Sequence, residues 1–254
     1  MKNYLIDTHS HIDMIEESPD TIIKEMIDNR VRKAIIPSVE VSTMEKIIDI
    51  AKKYDEIFAM VGIYPSEAKT YNDEVEKKII AYAKSDKVKA IGEIGLDYYW
   101  DTSFNDVQKD IFARQIALAN KLDLPIVVHN REAHKDTFDI LKSENKSSKV
   151  LYHCFSGSVE YMKECVKEGY LIAIGGVVTF KNAIKIKEVA KEVPLENLVL
   201  ETDSPYLTPV PFRGKINKPA YIKYIAEEIA KIRNLDIAEL ISITTENAER
   251  FFNI

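Results

Sequence analysis

The sequence predicts an α/β protein of the (β/α)8 TIM-barrel class, and three observations predict it. Short β-branched or apolar runs recur along the chain, each followed by a turn and a longer helical pattern. That alternation builds a parallel sheet covered by helices. The runs are near-continuously apolar rather than alternating, as strands buried on both faces must be. The length, 254 residues, is ordinary for one such barrel, so residues 1–254 are read as a single domain. No G-x-G-x-x-G follows the first run, which leaves a dinucleotide-binding sheet without support.

In chain order the strands fall at residues 4–7, 33–37, 57–63, 90–96, 125–129, 150–154, 170–174 and 198–201. Helical spacing marks the stretches between them. Over 43–53, Met44, Ile47, Ile48 and Ala51 share a face. Over 107–122, Ile111, Gln115, Leu118 and Leu122 do the same, and Pro125 follows as a stop. A helix is expected over 133–144. In 183–193, Ile184, Ile186 and Val189 mix with lysines, and 219–234 with 237–252 read as closing helices.

Hydrophobic residues make up 46% and charged residues 30%, which is globular composition. A chain this long buries enough surface to fold without disulfides. Cys154 and Cys165 form no C-x-x-C pair, so a cysteine zinc site has no support and a reducing compartment is expected. The formal charge of -6 argues against a protein that coats duplex non-specifically. It leaves nucleic-acid chemistry open, because bound divalent ions offset local negative charge. The first residues lack the apolar region of a signal peptide, and no run approaches about 18 apolar residues. The expectation is a soluble cytoplasmic protein without membrane contact, and a monomer, since no extra oligomerisation element stands out.

In this fold class, catalytic groups come from the C-terminal ends of strands, so the residues there carry the argument. The first strand ends in Asp7-Thr8-His9-Ser10-His11. Two imidazoles two apart in an extended segment point to one face and suit one metal ion; the alternative is a pair of surface histidines. Of the five histidines, His9, His11, His129 and His153 fall at strand ends, while His134 reads as a helix-start or surface residue. Glu93 lies in the apolar strand Ala90-Ile91-Gly92-Glu93-Ile94-Gly95-Leu96. A carboxylate buried there needs a cation or a Lys or Arg partner. The eighth strand ends in Glu201-Thr202-Asp203-Ser204-Pro205. Asp203 is the preferred ligand and proton acceptor, with Glu201 as its structural partner; the alternative is Glu201, on the same face but deeper, as the ligand.

Arg131 is placed to hold an anionic group or to pair within its loop. Arg213 and Lys215, in Pro209-Val210-Pro211-Phe212-Arg213-Gly214-Lys215, follow the eighth strand, where barrels often bind phosphate; an ordinary surface loop is the alternative. Cys154 directly follows His153. Neighbouring strand residues face opposite sides, so a Cys–His nucleophile pair is not expected.

These blocks, joined with Ile91-Gly92-Glu93-Ile94-Gly95-Leu96-Asp97-Tyr98, Val128-His129-Asn130-Arg131, His153-Cys154-Phe155-Ser156-Gly157 and Glu201-Thr202-Asp203-Ser204-Pro205-Tyr206-Leu207, resemble the TatD family of metal-dependent deoxyribonucleases. The resemblance runs over essentially the whole chain. It implies a barrel of the metal-dependent hydrolase type, similar in fold to the amidohydrolase superfamily. It further implies two divalent ions (Mg2+, Mn2+ or Zn2+) on His9, His11, Glu93, His129, His153 and Asp203, with Glu93 as the bridge. Tyr64 and Lys218 stand where many members of the family have histidine and glutamate.

The implied activity is hydrolysis of DNA by a metal-activated water, exonuclease-type, on single strands or strand ends. Asp203 and Glu93 would be catalytic, and Arg131, Arg213 and Lys215 would hold the substrate. The alternative is an ester or amide hydrolase acting on a small molecule or on aminoacyl-tRNA.

Overall fold

The computed structural model describes residues 2–254. Its strands are β1 (Leu5–Asp7), β2 (Val31–Pro37), β3 (Ile57–Val61), β4 (Val88–Asp97), β5 (Ile126–Arg131), β6 (Val150–Tyr152), β7 (Leu171–Ile174) and β8 (Leu198–Leu200). The helices are α1 (Pro19–Asp28), α2 (Val41–Lys53), α3 (Asp73–Tyr82), α4 (Asn105–Leu122), α5 (His134–Glu144), α6 (Val159–Lys167), α7 (Ile184–Glu192), α8 (Ile222–Arg233) and α9 (Ile237–Phe252). The strands form one sheet in the order β1-β2-β3-β4-β5-β6-β7-β8. The ladders β1–β2, β3–β4, β4–β5, β5–β6 and β7–β8 are all parallel. This is the (β/α)8 fold class that the alternation of runs predicts. No described helix is long and apolar enough to cross a membrane.

Helices α1, α3 and α6 add to those read from spacing, and each starts on a side-chain cap. Ser18, Asn72 and Ser158 accept backbone N–H groups of the first turn, satisfying donors that the helix cannot pair internally. Several strands end earlier than their apolar runs. β3 stops at Val61 because the N–H of Ile63 turns to the Gln115 side chain at 2.8 Å. Past β6, the N–H of Cys154 turns to Glu201 Oε1 at 2.6 Å.

By compactness the chain divides into two units, one of the described residues up to Ile36 with His153–Ile254, the other Pro37–Tyr152. In the first, Ile22 and Met26 of α1, Ile225 and Ile229 of α8 and Phe251 and Phe252 of α9 are buried. The segments after β1 and β8 are stitched side by side. Thr8 donates to the carbonyl of Leu200 from both N and Oγ1, and Asp203 N donates to the His9 carbonyl at 2.9 Å. Asn217 Nδ2 donates to the carbonyls of Thr202 and Tyr206. Each such clamp fixes backbone that no ladder holds.

In the second unit α4 plays the clamping part. Gln115, on the face that spacing assigns to the core, is buried. It accepts from Ile63 N and donates to the Ile63 carbonyl at 3.1 Å. Gln108 treats Asp97 the same way, at 2.9 and 3.0 Å. A buried amide is tolerated because both its ends are satisfied. Gly95 has φ +147°, and a Cβ there would stand 1.9 Å from the His129 carbonyl oxygen. Only glycine lets β4 and β5 approach this closely.

Candidate functional site

In the first unit, His9 and His11 converge although the chain is no longer in a strand. His11 has φ -87° and ψ 63° and opens a 3-10 turn at Ile12–Met14. Their Nε2 atoms stand 3.3 Å apart. Asp203 Oδ1 lies 3.8 Å from His9 Nε2 and 3.6 Å from His11 Nε2. The ring of His153 stacks on that of His9 at 4.0 Å and 13°, and its Nδ1 is 3.9 Å from Glu201 Oε1. Asp203 reaches this position from a left-handed backbone, φ +53°, which aspartate adopts more readily than bulkier residues.

Burial alone would raise the Asp203 pKa, yet His11, His9 and His153 hold it below the usual carboxylate value. Asp7 behaves oppositely. It is fully buried, and that burial pushes it up to about 7 despite hydrogen bonds from Thr202 Oγ1, Thr202 N and His9 N. Its task is architectural, tying the backbone at His9 to the segment after β8.

In the second unit, His129 is bracketed by acids. Its Nδ1 lies 2.9 Å from Glu93 Oε1 and its Nε2 3.0 Å from Asp97 Oδ2. The hydroxyl of Tyr64 donates to Asp97 Oδ2 at 3.0 Å and stands 3.0 Å from His129 Nε2. Burial, then the charges of Glu93 and Asp97, push the Tyr64 hydroxyl well above its ordinary pKa, so it stays a donor. Asp97 is raised by burial but ends below its ordinary value through hydrogen bonds from His129, Tyr99 N and Tyr64. Neither Asp97 nor the role of Tyr64 is singled out by the sequence reading. A signal was present, since Glu93, Gly95 and Asp97 alternate onto one face of β4.

Arg131 ends β5. Among the described residues it pairs with no carboxylate, the loop acid Glu132 included. Its guanidinium lies instead 3.7 Å over the Tyr99 ring and 5.3 Å from that of Trp100. Arg213 and Lys215 are exposed on the loop after β8. Arg213 rests 3.7 Å over Phe180, and Lys215 5.4 Å from the Phe212 ring. Among the described residues neither forms an ion pair with Asp203. His134 opens α5, as expected, with Asn130 Nδ2 donating to its Nδ1 at 2.8 Å. Cys154 and Cys165 form no disulfide.

Lys218 is bound structurally. Its ammonium donates to Glu17 at 2.8 Å and Glu25 at 3.0 Å, tying the segment before α8 to the N-terminal part of the chain. Burial would lower its pKa, but these two carboxylates raise it.

The donor set tests what these clusters can hold. Four ligands at about 2.0–2.2 Å from a tetrahedral ion stand roughly 3.3–3.6 Å apart. His11 Nε2 stands within that spacing of both His9 Nε2, at 3.3 Å, and Asp203 Oδ1, at 3.6 Å, while His9 Nε2 and Asp203 Oδ1, at 3.8 Å, lie just beyond it. His9, His153 and Glu201 offer ligand atoms within 4.8 Å of one another. Mixed imidazole and carboxylate donors suit Zn, Mn or Fe, while Mg prefers oxygen.

Comparison with known proteins agrees with this chemistry. The family described as TatD related DNase matches residues 6–253. YabD of Bacillus subtilis, an uncharacterized metal-dependent hydrolase, is 44% identical over 255 residues, covering 98% of this chain and 99% of that protein. A second, from Buchnera aphidicola, is 36% identical and covers 99% and 100%. The crystal structure of YJJV, a TatD homolog from Escherichia coli, superposes with a TM-score of 0.93 at 29% identity, covering 98% of each chain. The chain belongs to the TatD family of metal-dependent hydrolases.

Proposed function

We propose that this protein hydrolyses phosphodiester bonds in DNA, working on single strands or strand ends. In this reading His9, His11, Glu93, His129, His153 and Asp203 are ligands to two divalent ions, Mg2+, Mn2+ or Zn2+. The observation that carries it is the convergence of His9 Nε2, His11 Nε2 and an ionised Asp203 at ligand spacing. DNA is favoured as substrate by the description of the matching family. A cytoplasmic location, a monomeric state and one hydrolase domain over residues 1–254 belong to the same proposal.

Such ions, when bound, lower the pKa of a water and neutralise phosphate charge. The remaining tasks fall to side chains. Asp203, held ionised by its histidines, orients the attacking water and accepts its proton. Glu93, 3% exposed, adds negative charge where a cation is required, and His129 is turned towards it. Arg131 supplies a guanidinium that, among the described residues, has no acid partner, and Arg213 and Lys215 offer positive charge from the loop after β8.

The test uses labelled single-stranded DNA with Mg2+, Mn2+ or Zn2+, beside a carboxylic ester at equal enzyme concentration. Wild type is expected to release nucleotides, and Glu93→Ala to lose both bound metal and activity. If metal is bound but DNA survives under every ion while the ester turns over, the substrate is an ester or amide and the DNA reading fails.

A further inference from the structure

We infer that Tyr99, Trp100 and Arg131 form a seat for one unpaired nucleobase and its phosphate, a binding site distinct from the metal ligands. The inference rests on the reading of DNA as substrate and names the part of the strand this seat takes.

Three observations carry it. Tyr99 and Trp100 are consecutive, large and exposed, at 54% and 72%, with rings edge to face at 4.9 Å. A single exposed aromatic is unremarkable, but two adjacent ones beside a cation are not scattered surface.

The cation is the second observation. Arg131 sits 3.7 Å over the Tyr99 ring and, among the described residues, has no carboxylate partner. Arg114 makes the opposite case within the same unit. Its guanidinium also faces a tyrosine, Tyr71, at 5.0 Å, but it is neutralised by Asp73 and Glu76, both at 3.1 Å. In a chain of net charge -6, a guanidinium braced by a ring and left without an acid has its edge donors available to a phosphate.

Third, the seat is held in place. Asp97 and Arg131 are register partners of β4 and β5. Asp97 Oδ1 accepts from Tyr99 N at 2.9 Å, and Tyr98 N donates to the Arg131 carbonyl at 2.9 Å. The hydroxyl of Tyr98 is tied to Asp136 at 2.9 Å. The aromatics therefore leave the end of β4, which bears Glu93, beside the end of β5, which bears His129 and closes on Arg131.

The ligand follows from the chemistry. A planar, exposed indole beside a planar cation takes a flat aromatic ring carrying a nearby anion, which is a nucleotide with its base unstacked. A paired base hides its faces in the duplex and offers none to Trp100. The seat therefore selects single strands and frayed ends.

Trp100 is the only tryptophan, so its fluorescence reports on the seat directly. The metal-loaded full chain is titrated with a phosphorothioate oligothymidylate, and separately with an abasic phosphorothioate of equal length. Quenching is expected with the first and not the second. By anisotropy of a labelled oligothymidylate, Trp100→Ala is expected to weaken binding about tenfold. Trp100→Phe retains most of the affinity, and Arg131→Gln weakens binding of both oligomers. Equal quenching by the abasic strand, or unchanged affinity in Trp100→Ala, overturns the seat. DNA hydrolysis without quenching sinks the seat alone, whereas bound metal without hydrolysis of any DNA sinks the substrate reading.

Discussion

The two units solve the same problem, how to hold histidine beside negative charge, in different ways. In the first, imidazoles gather on one another. His9 and His11 bring Nε2 atoms to 3.3 Å, His153 stacks on His9, and the acids Asp203 and Glu201 stand 3.6–3.9 Å away. In the second, His129 is bracketed by acids, with Glu93 on one nitrogen and Asp97 on the other at 2.9 and 3.0 Å. Two nitrogens facing each other can share one proton or one cation, and nothing else improves that contact. An imidazole between two carboxylates and a tyrosine is oriented before any ion arrives. Under the proposed ligand roles, an ion would have to hold the first cluster together, whereas the second already holds its imidazole in place.

The largest expected effect removes the second unit's frame. Gly95→Ala would drive a Cβ to 1.9 Å from the His129 carbonyl, at a cost of ~3 kcal/mol or more. Denaturant unfolding should show the loss, and a change below about 1 kcal/mol would mean that β4 can shift away from β5.

Next come the proposed ligands and their partners. His11→Ala should abolish metal binding at the first cluster, while Asp97→Asn, which takes the carboxylate Oδ2 from both His129 Nε2 and the Tyr64 hydroxyl, should weaken Mn2+ binding by about 10–100-fold. Calorimetric titration separates the two. If Asp97→Asn binds as wild type does, the second cluster is not oriented by its outer acid and the contrast between the units collapses.

A smaller effect belongs to Tyr64→Phe, which removes one hydroxyl and keeps the ring. The affinity for Mn2+ should drop by up to about tenfold, with the fold intact by circular dichroism. An unchanged affinity would leave the orienting to the carboxylates of Asp97 and Glu93.

The smallest effect is on stability away from both clusters. Glu249 is raised by burial but ends below its ordinary value through hydrogen bonds from Tyr4 and Lys2. A carboxyl with a depressed folded pKa stabilises above its unfolded value, and that contribution is lost as pH falls through the folded one. Glu249→Gln should therefore cost ~1 kcal/mol near neutrality, with the gap to wild type closing below about pH 4.5. A gap independent of pH would assign the effect to packing.

Much of this was legible from residues alone. Apolar runs alternating with helical spacing located all eight strands, and position at strand ends picked out His9, His11, Glu93, His129, His153 and Asp203 as candidates. The spacing of Met44, Ile47, Ile48 and Ala51 marked the buried face of α2. These signals are local, because the period of a helix or strand and the meaning of a strand end are fixed by a few neighbouring residues. Gln115 shows the limit. Spacing put it on the buried face of α4 but could not show that its amide holds the backbone of Ile63, 52 positions away.

Partner choice across long separations was decided by tertiary structure. Tyr64 meets Asp97 and His129 across 33 and 65 positions. Arg131 meets Tyr99 rather than Glu132, and Lys218 reaches back to Glu17 and Glu25. Sequence determined which groups were chemically able to coordinate, donate or stack. Which of them meet depends on strand register and on the close approach that Gly95 permits, and those distances exist only once the chain has packed.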